Sequence, residues 1–287
     1  MFKISLPHFV LRCTLILVLT TSCQKESTSN RFDFGTENDS ALYYYNKGWE
    51  HIMDYGQWTL AEASYRKAMT FDPDFILGKG IVGKITTDLN ERQSILKALE
   101  EEKEDVSADE RLLLDDLLSI LEIMNARDQG IKLAPEFYKD FYSSAESAMR
   151  TFIHKYPYES YIKAEYIEVI HSNHGAKAAL DSIETLATES QKKLPFFNSY
   201  AATLESELAN YDAAFDKAKD LLESVNGQDV PATYYTYAQL YLNNNKLSVA
   251  KKNIERAIQL DPKHQLAHRV KKVIDQKLQE RDTDSIN

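Results

Sequence analysis

The chain has 287 residues, 43% hydrophobic and 27% charged, a balance that excludes a disordered or collagenous polymer, and its 9 Gly and 7 Pro are too few for the frequent tight turns of an all-β protein. A formal net charge of -10 disfavours general nucleic-acid binding, because phosphate backbones are held mainly by Lys and Arg.

Residues 1–23, MFKISLPHFVLRCTLILVLTTSC, place Lys3 and Arg12 ahead of an apolar run from Cys13 to Leu19 and end on small polar residues and a cysteine. That pattern is a secretory signal, and its apolar run falls short of the roughly 20 residues needed to span a bilayer. The segment resembles a bacterial lipoprotein signal, with Thr20 where that family usually has Leu. The resemblance implies a signal over 1–22 and lipid on Cys23; the alternative is ordinary cleavage after Ser22, leaving a free thiol. Either way Cys13 is removed and the mature chain has no second cysteine for an internal disulfide. Residues 24–40 are polar and lack helical periodicity, which predicts a flexible tether reaching about 20–25 Å. Gln24 stands where such proteins often carry the Asp of inner-membrane retention, which favours the outer membrane.

Downstream, ALYYYNKGWEHIMDYG and AEASYRKAMTFDP predict a helix pair, with Ala61, Tyr65, Ala68 and Pro73 patterning the second helix. The first helix carries one residue more than a regular pair wants, leaving either Gly48 or Trp49 for the close interhelical contact. The next stretch, GKGIVGK (Gly78 to Lys84), fits G-x-G-x-x-G and the front of a phosphate loop. Such a loop needs a strand before it, a helix after it, and Ser or Thr directly after the Lys. Here Pro73 ends a helix only a few residues earlier, and Ile85 follows Lys84. Gly83 therefore reads as a packing residue, with Gly78 and Gly80 on the same helix. Three glycines there weaken the helix by about 2–3 kcal/mol, which the sequence alone does not explain.

The acidic run LEEEKED, Leu99 to Asp105, reads as a solvated helix surface without the alternation of a calcium loop. Ser107 and Glu110 predict a capping box opening a helix through about Asn125, followed by a loop over 126–134 and a long helix from Pro135 to about Lys155. His171 and His174, in IHSNHG, sit at a helix end that favours His in any case, and no further ligand stands near them in sequence. No metal or other cofactor is expected.

Near the C-terminus, PATYYTYAQLYLNNNKLSVAKKNIERAIQLDP spaces Tyr234, Ala238, Tyr241, Ala250, Ile254, Ala257 and Pro262 as a helix pair does. This resembles the tetratricopeptide repeat (TPR), a helix-turn-helix unit of about 34 residues. Weaker copies place Ile95, Ala145, Ala179 and Ala214 in the phase of Ala61 and Ala250, with Pro157 and Gly83 falling at family positions. The long interval between Ile95 and Ala145 marks an extended third pair. The last stretch, LAHRVKKVIDQKLQE, puts Leu266, Val270, Val273, Ile274 and Leu278 on one face and predicts an amphipathic cap. The expected architecture is all-α: a right-handed α-solenoid of about six TPR-like helix pairs over 41–265, a capping helix over 266–280, and a tail over 281–287. Residues 23–40 would join this body to the membrane.

In the TPR family the first helices form the concave surface. That implies a groove of Tyr161, Ala164, Glu168 and His171, then Phe196, Ser199, Thr203 and Glu207, then Tyr235, Gln239, Leu242 and Asn243. The mixture of aromatics, small polar groups and carboxylates suits an extended peptide or an amphipathic helix. It lacks the Lys and Asn combination with which co-chaperone members clamp a C-terminal carboxylate. No H-E-x-x-H or G-x-S-x-G motif is present. The expectation is a non-enzymatic, lipid-anchored cell-envelope scaffold that binds a protein or peptide partner in this groove and does not bind nucleic acid. Two alternatives remain open: an envelope protein that binds, or acts on, a small molecule or glycan beside Tyr235 and Glu168, and a purely structural spacer.

Overall fold

The computed structural model describes residues 31–284; the expected signal, Cys23 and the first part of the tether lie outside the described residues. Thirteen α-helices and no strand occur among the described residues. They pack in consecutive pairs: α1 (Asp39–Trp49) on α2 (Trp58–Phe71), α3 (Ile76–Ile85) on α4 (Leu89–Glu102), and α5 (Ala108–Asp128) on α6 (Pro135–Lys155). The series continues with α7 (Ser160–His174) on α8 (Ala176–Leu186), α9 (Pro195–Glu207) on α10 (Tyr211–Ser224), and α11 (Pro231–Asn243) on α12 (Leu247–Leu260). The last helix, α13 (Gln265–Asp284), covers α12. Because α3 also packs on α5 and α9 on α11, each pair buries its apolar face against a neighbour, as an α-solenoid requires.

Local chemistry sets the helix starts. Asn38 accepts hydrogen bonds from Ser40 N and Ala41 N, Asp88 from Asn90 N and Glu91 N, and Ser107 with Glu110 forms the expected capping box. Pro135, Pro195 and Pro231 open α6, α9 and α11, where a missing N–H loses nothing. Helix α5 runs to Asp128, three residues beyond the expected end, and α6 has the expected bounds.

Small residues bring the helices together. Ala61, Ala68, Ala179, Ala214, Ala238, Ala250 and Ala257 are fully buried and Ala145 nearly so, as is the larger Tyr65. Ile95 and Tyr241 are only half-buried, and Pro73, Pro157 and Pro262 follow helix ends. The glycines of α3 have the same use. A Cβ on Gly83 would stand 3.0 Å from both Ile95 Cγ2 and Leu121 Cδ1, one on Gly80 would stand 2.8 Å from Leu117 Cδ1, and one on Gly78 would stand 2.5 Å from Phe75 Cδ1. Close approach to α4 and α5 thus explains Gly83 and Gly80, and the Phe75 ring explains Gly78.

The extra residue of the first pair is absorbed in a π-helical turn, Glu50–Asp54, directly after α1. Gly48 takes the close contact: a Cβ there would lie 2.2 Å from Tyr65 Cε1. Trp49, its neighbour, is buried beside it.

Two expectations are corrected. The tether does not extend to residue 40, because Phe32, Phe34 and Thr36 are buried against the body. Phe32 packs edge-on to Phe152 with centroids 5.0 Å apart and donates its N–H to Glu159 Oε1 at 3.1 Å, while Phe34 packs on Tyr45 and Thr36 bonds Asp72. Two aromatics gain more by burial than the polar composition of the segment suggests. The capping helix is also longer than expected, and its buried stripe is centred elsewhere: Ala267 and Ile274 are fully buried, whereas Leu266 and Val273 are 37% and 42% exposed.

The first and last parts of the solenoid touch. At the end of the π turn, Asp54 accepts hydrogen bonds from Tyr161 Oη at 2.8 Å and Phe196 N at 3.1 Å, and Tyr55 O accepts from Ala232 N at 3.0 Å. Gly56, at φ +67°, lets the backbone pass within reach of α11, since a Cβ there would meet Ala232 N at 2.9 Å. Residues 54–59 therefore run from the first pair across the starts of α9 and α11 to the turn before α13.

Candidate functional site

The helices surround a partly open cavity of about 460 Å³, a size in the usual range for ligand pockets. Every odd-numbered helix from α1 to α13 contributes to its wall, as do α2 and α6. Aromatic rings dominate one side. Tyr235 stacks on His264 with centroids 5.1 Å apart, His264 stacks on Trp58 at 5.8 Å, and Phe196 stacks on Tyr200 at 5.3 Å. His264 is buried, which pushes its imidazole down to about 4, so it is neutral near pH 7.

A polar cluster from three helices sits among these apolar walls. Lys84 of α3 forms an ion pair with Glu165 of α7, and its ammonium also lies 5.5 Å from the Trp49 ring centroid. Burial alone would lower the Lys84 pKa, but the charge and hydrogen bond of Glu165 outweigh it and raise it. Glu168, one turn along from Glu165, is pushed up to about 7 by burial and by the Glu165 charge, with Lys84 and His171 opposing. Asp116 of α5, 7% exposed, is likewise pushed up to about 7 by burial and by Glu165. Its Oδ1 has no hydrogen-bond partner among the described residues.

Of the groove residues expected from the family pattern, Glu168, Phe196, Ser199, Thr203, Tyr235 and Gln239 line the cavity. The others lie elsewhere. Tyr161 stacks on Trp49 at 6.2 Å and donates to Asp54; Leu242 packs into the core of the last pair. Ala164 is fully buried between α7 and its neighbours, so it presents no surface to a groove. His171 is bonded to Tyr200 Oη at 2.8 Å and Glu207 Oε2 at 2.9 Å, and Asn243 donates to Ser206 Oγ at 2.8 Å. His174 bonds Glu146 instead, and among the described residues no His, Cys, Asp or Glu group is arranged for a metal.

The sequence reading missed Trp49, Lys84 and Glu165. A signal for the first two was present: Trp49 follows Gly48 and Lys84 follows Gly83, just as Thr203 follows Ala202 and Gln239 follows Ala238. On α1, α3, α9 and α11 the residue after the small contact residue faces the cavity. Glu165 falls outside that rule and becomes visible only through its pairing with Lys84.

Comparison with known proteins identifies the unit formed by α11 and α12. Residues 231–264 match the tetratricopeptide repeat family, so the chain contains a TPR. No curated relative matches the chain. Among solved structures, the chain is similar to one described as the crystal structure of the APC/C hetero-tetramer Cut9-Hcn1, at 14% identity and a TM-score of 0.43. The match covers 82% of this chain and 42% of that one, so this chain spans under half the length of its structural neighbour.

Proposed function

We propose that the protein is a non-catalytic adaptor of the bacterial cell envelope, held at the outer membrane by lipid on Cys23, whose central cavity takes a segment of a protein partner. The observation that carries this reading is the convergence of the first helices and α13 on one aromatic-walled cavity. A solenoid needs its repeats only to cover one another, so a spacer gains nothing from directing Trp58, Tyr235, Glu168 and Lys84 to a common space. The TPR of α11 and α12 supports a protein-interaction role. Residues 24–31 leave a tether of at most about 28 Å when extended, which would keep the body near the membrane surface.

A second reading is favoured by the contact between residues 54–59 and the last pair, which bounds the cavity and suits a compact small molecule. The two separate experimentally. Partner co-purification with the intact, detergent-extracted protein should be lost in Ser199→Trp, which fills the cavity, and kept in Lys252→Ala on the exposed face of α12. A partner retained by both variants contradicts the adaptor reading. A small-molecule site would show instead as thermal stabilisation, about 2.7 kcal/mol at 100 times the dissociation constant. For the anchor, Cys23→Ala should move the protein from the membrane to the soluble fraction; a wild type that is already soluble sinks that part.

A further inference from the structure

We infer that the cavity recognises an organic cation on an aliphatic stem, the side chain of a lysine presented by the partner, with Glu168 as its anionic contact. The inference rests on the cavity being the binding site proposed above.

Charge and shape both lead there. Three carboxylates, Glu165, Glu168 and Asp116, gather around one ammonium, and that ammonium is engaged by Glu165. Glu168 lines the cavity and has no ion pair among the described residues. Asp116 lies on the stripe of α5 that continues through Ile120 and Ile123, since residues three and four apart share a helix face, and both isoleucines line the cavity. With its unpartnered Oδ1, Asp116 adds a buried acceptor behind that wall. The cavity also has Arg127 and Arg269 on its lining. Arg127 is paired with Asp128 at 2.9 Å and stands three turns along α5 from Asp116, about 16 Å at 1.5 Å per residue. Arg269 is exposed on α13 and acts on Tyr235; the charges that govern Glu168 are Glu165, Lys84 and His171.

The surroundings of Glu168 are aromatic. Its charge bears on both Tyr200 and Tyr235, whose phenols burial holds in the neutral form, and Phe196 stacks on Tyr200. A carboxylate sharing a cavity with aromatic rings favours a weakly hydrated cation, which ring faces attract through their quadrupoles while the carboxylate supplies the charge. The remaining lining, Met53, Ile120 and Met124 among it, suits an aliphatic stem. An acidic side chain would meet Glu165 and Glu168 at close range. A neutral one would leave Glu168 in its unfavourable environment.

Both tryptophans of the chain, Trp49 and Trp58, line the cavity, so intrinsic fluorescence reports its occupancy directly. The probe is the peptide acetyl-Leu-Lys-Leu-amide, beside the same peptide with norleucine or with Nε-acetyl-lysine and beside free pentylamine. The lysine peptide should give a saturable change, with binding at least about tenfold weaker for the two uncharged peptides and for the Glu168→Gln protein. Glu168→Gln should fold, because Glu168 has no ion pair among the described residues to lose, and its circular dichroism and thermal unfolding check this. Equal binding of the norleucine peptide, or undiminished binding by Glu168→Gln, overturns the inference while leaving a neutral cavity ligand in place. Pentylamine binding as tightly as the lysine peptide overturns the assignment to a partner's side chain. If no peptide gives a saturable response the inference falls, and the Ser199→Trp co-purification then judges the cavity reading separately.

Discussion

Thr59 and Asp261, 202 residues apart, are joined by two hydrogen bonds: Asp261 Oδ2 accepts from Thr59 N at 2.8 Å and Oδ1 from Thr59 Oγ1 at 2.7 Å. They tie the start of α2 to the end of α12, and Glu62 with Lys263 adds an ion pair at 2.7 Å across the same seam. Asp261 is buried, so removing its carboxylate strands donors that water cannot readily reach. Asp261→Ala should therefore cost about 1–3 kcal/mol by chemical denaturation and raise the radius of gyration in small-angle scattering. Lys263→Ala, at the half-exposed pair, should cost less than about 1 kcal/mol.

Gly48 and Gly80 should respond differently to a methyl group. At Gly48 the new Cβ would overlap the ring of Tyr65, which is 1% exposed and packed against Tyr45 and Trp49. Gly48→Ala is expected to destabilise by about 1–3 kcal/mol, more than the roughly 1 kcal/mol gained in helix propensity. At Gly80 the obstacle is Leu117 Cδ1, the end of a flexible side chain, so Gly80→Ala should lie within about 1 kcal/mol of wild type. Equal losses at both sites, measured by denaturant unfolding, would contradict this packing account.

The segment before α1 should be a strap that stabilises the body. Phe32 is 6% exposed and packs on Phe152 and Tyr156, which belong to the third pair and the turn after it. In the mature chain Phe32→Ala should lower stability by about 3 kcal/mol, the low end for a buried Phe. A melting temperature unchanged by the substitution would restore the long flexible tether.

Stability should fall as pH rises from about 4 to above 7. The folded-state pKa values of Glu168 and Asp116, pushed up to about 7 from 4.5 and 3.8, mean that both favour the folded chain while protonated and oppose it once ionised. His264 works in the other direction: lowered from 6.5 to about 4, it takes stability away as pH falls through that interval. Comparing Glu168→Gln with wild type isolates one group, although Glu165, Lys84, His171, Tyr200 and Tyr235 all act on it or feel its charge. The variant should be the more stable protein at pH 8, and the difference should vanish near pH 4. A wild type more stable at pH 8 would show that Glu168 ionises without strain.

Much of the fold was legible because repeat packing leaves marks on individual residues. Ala61, Ala179, Ala214 and Ala250 recur where two helices come closest, and the surplus residue after Gly48 surfaced as the π turn. Ser107 with Glu110 located α5 because a capping box is a local interaction. The strap was hidden by its composition: two phenylalanines among polar residues carry no periodic signal, and Phe152, the partner of Phe32, lies far along the chain. The cavity was half legible. Glu168, Phe196 and Tyr235 followed from the family's concave face, whereas the encounter of Lys84 with Glu165 and Asp116 depends on how three pairs stack. Local phase does not encode that angle.

Photo-cross-linking from inside the cavity tests the central claim most directly. With p-benzoylphenylalanine in place of Gln239 on α11, and separately in place of Lys252 on α12, intact cells would be irradiated and adducts resolved by mass. The adaptor reading predicts a discrete adduct with one protein from Gln239, none from Lys252, and loss of that adduct when Ser199→Trp is added. An adduct of the same protein from both positions, or one that persists with Ser199→Trp, would contradict a partner held in the cavity.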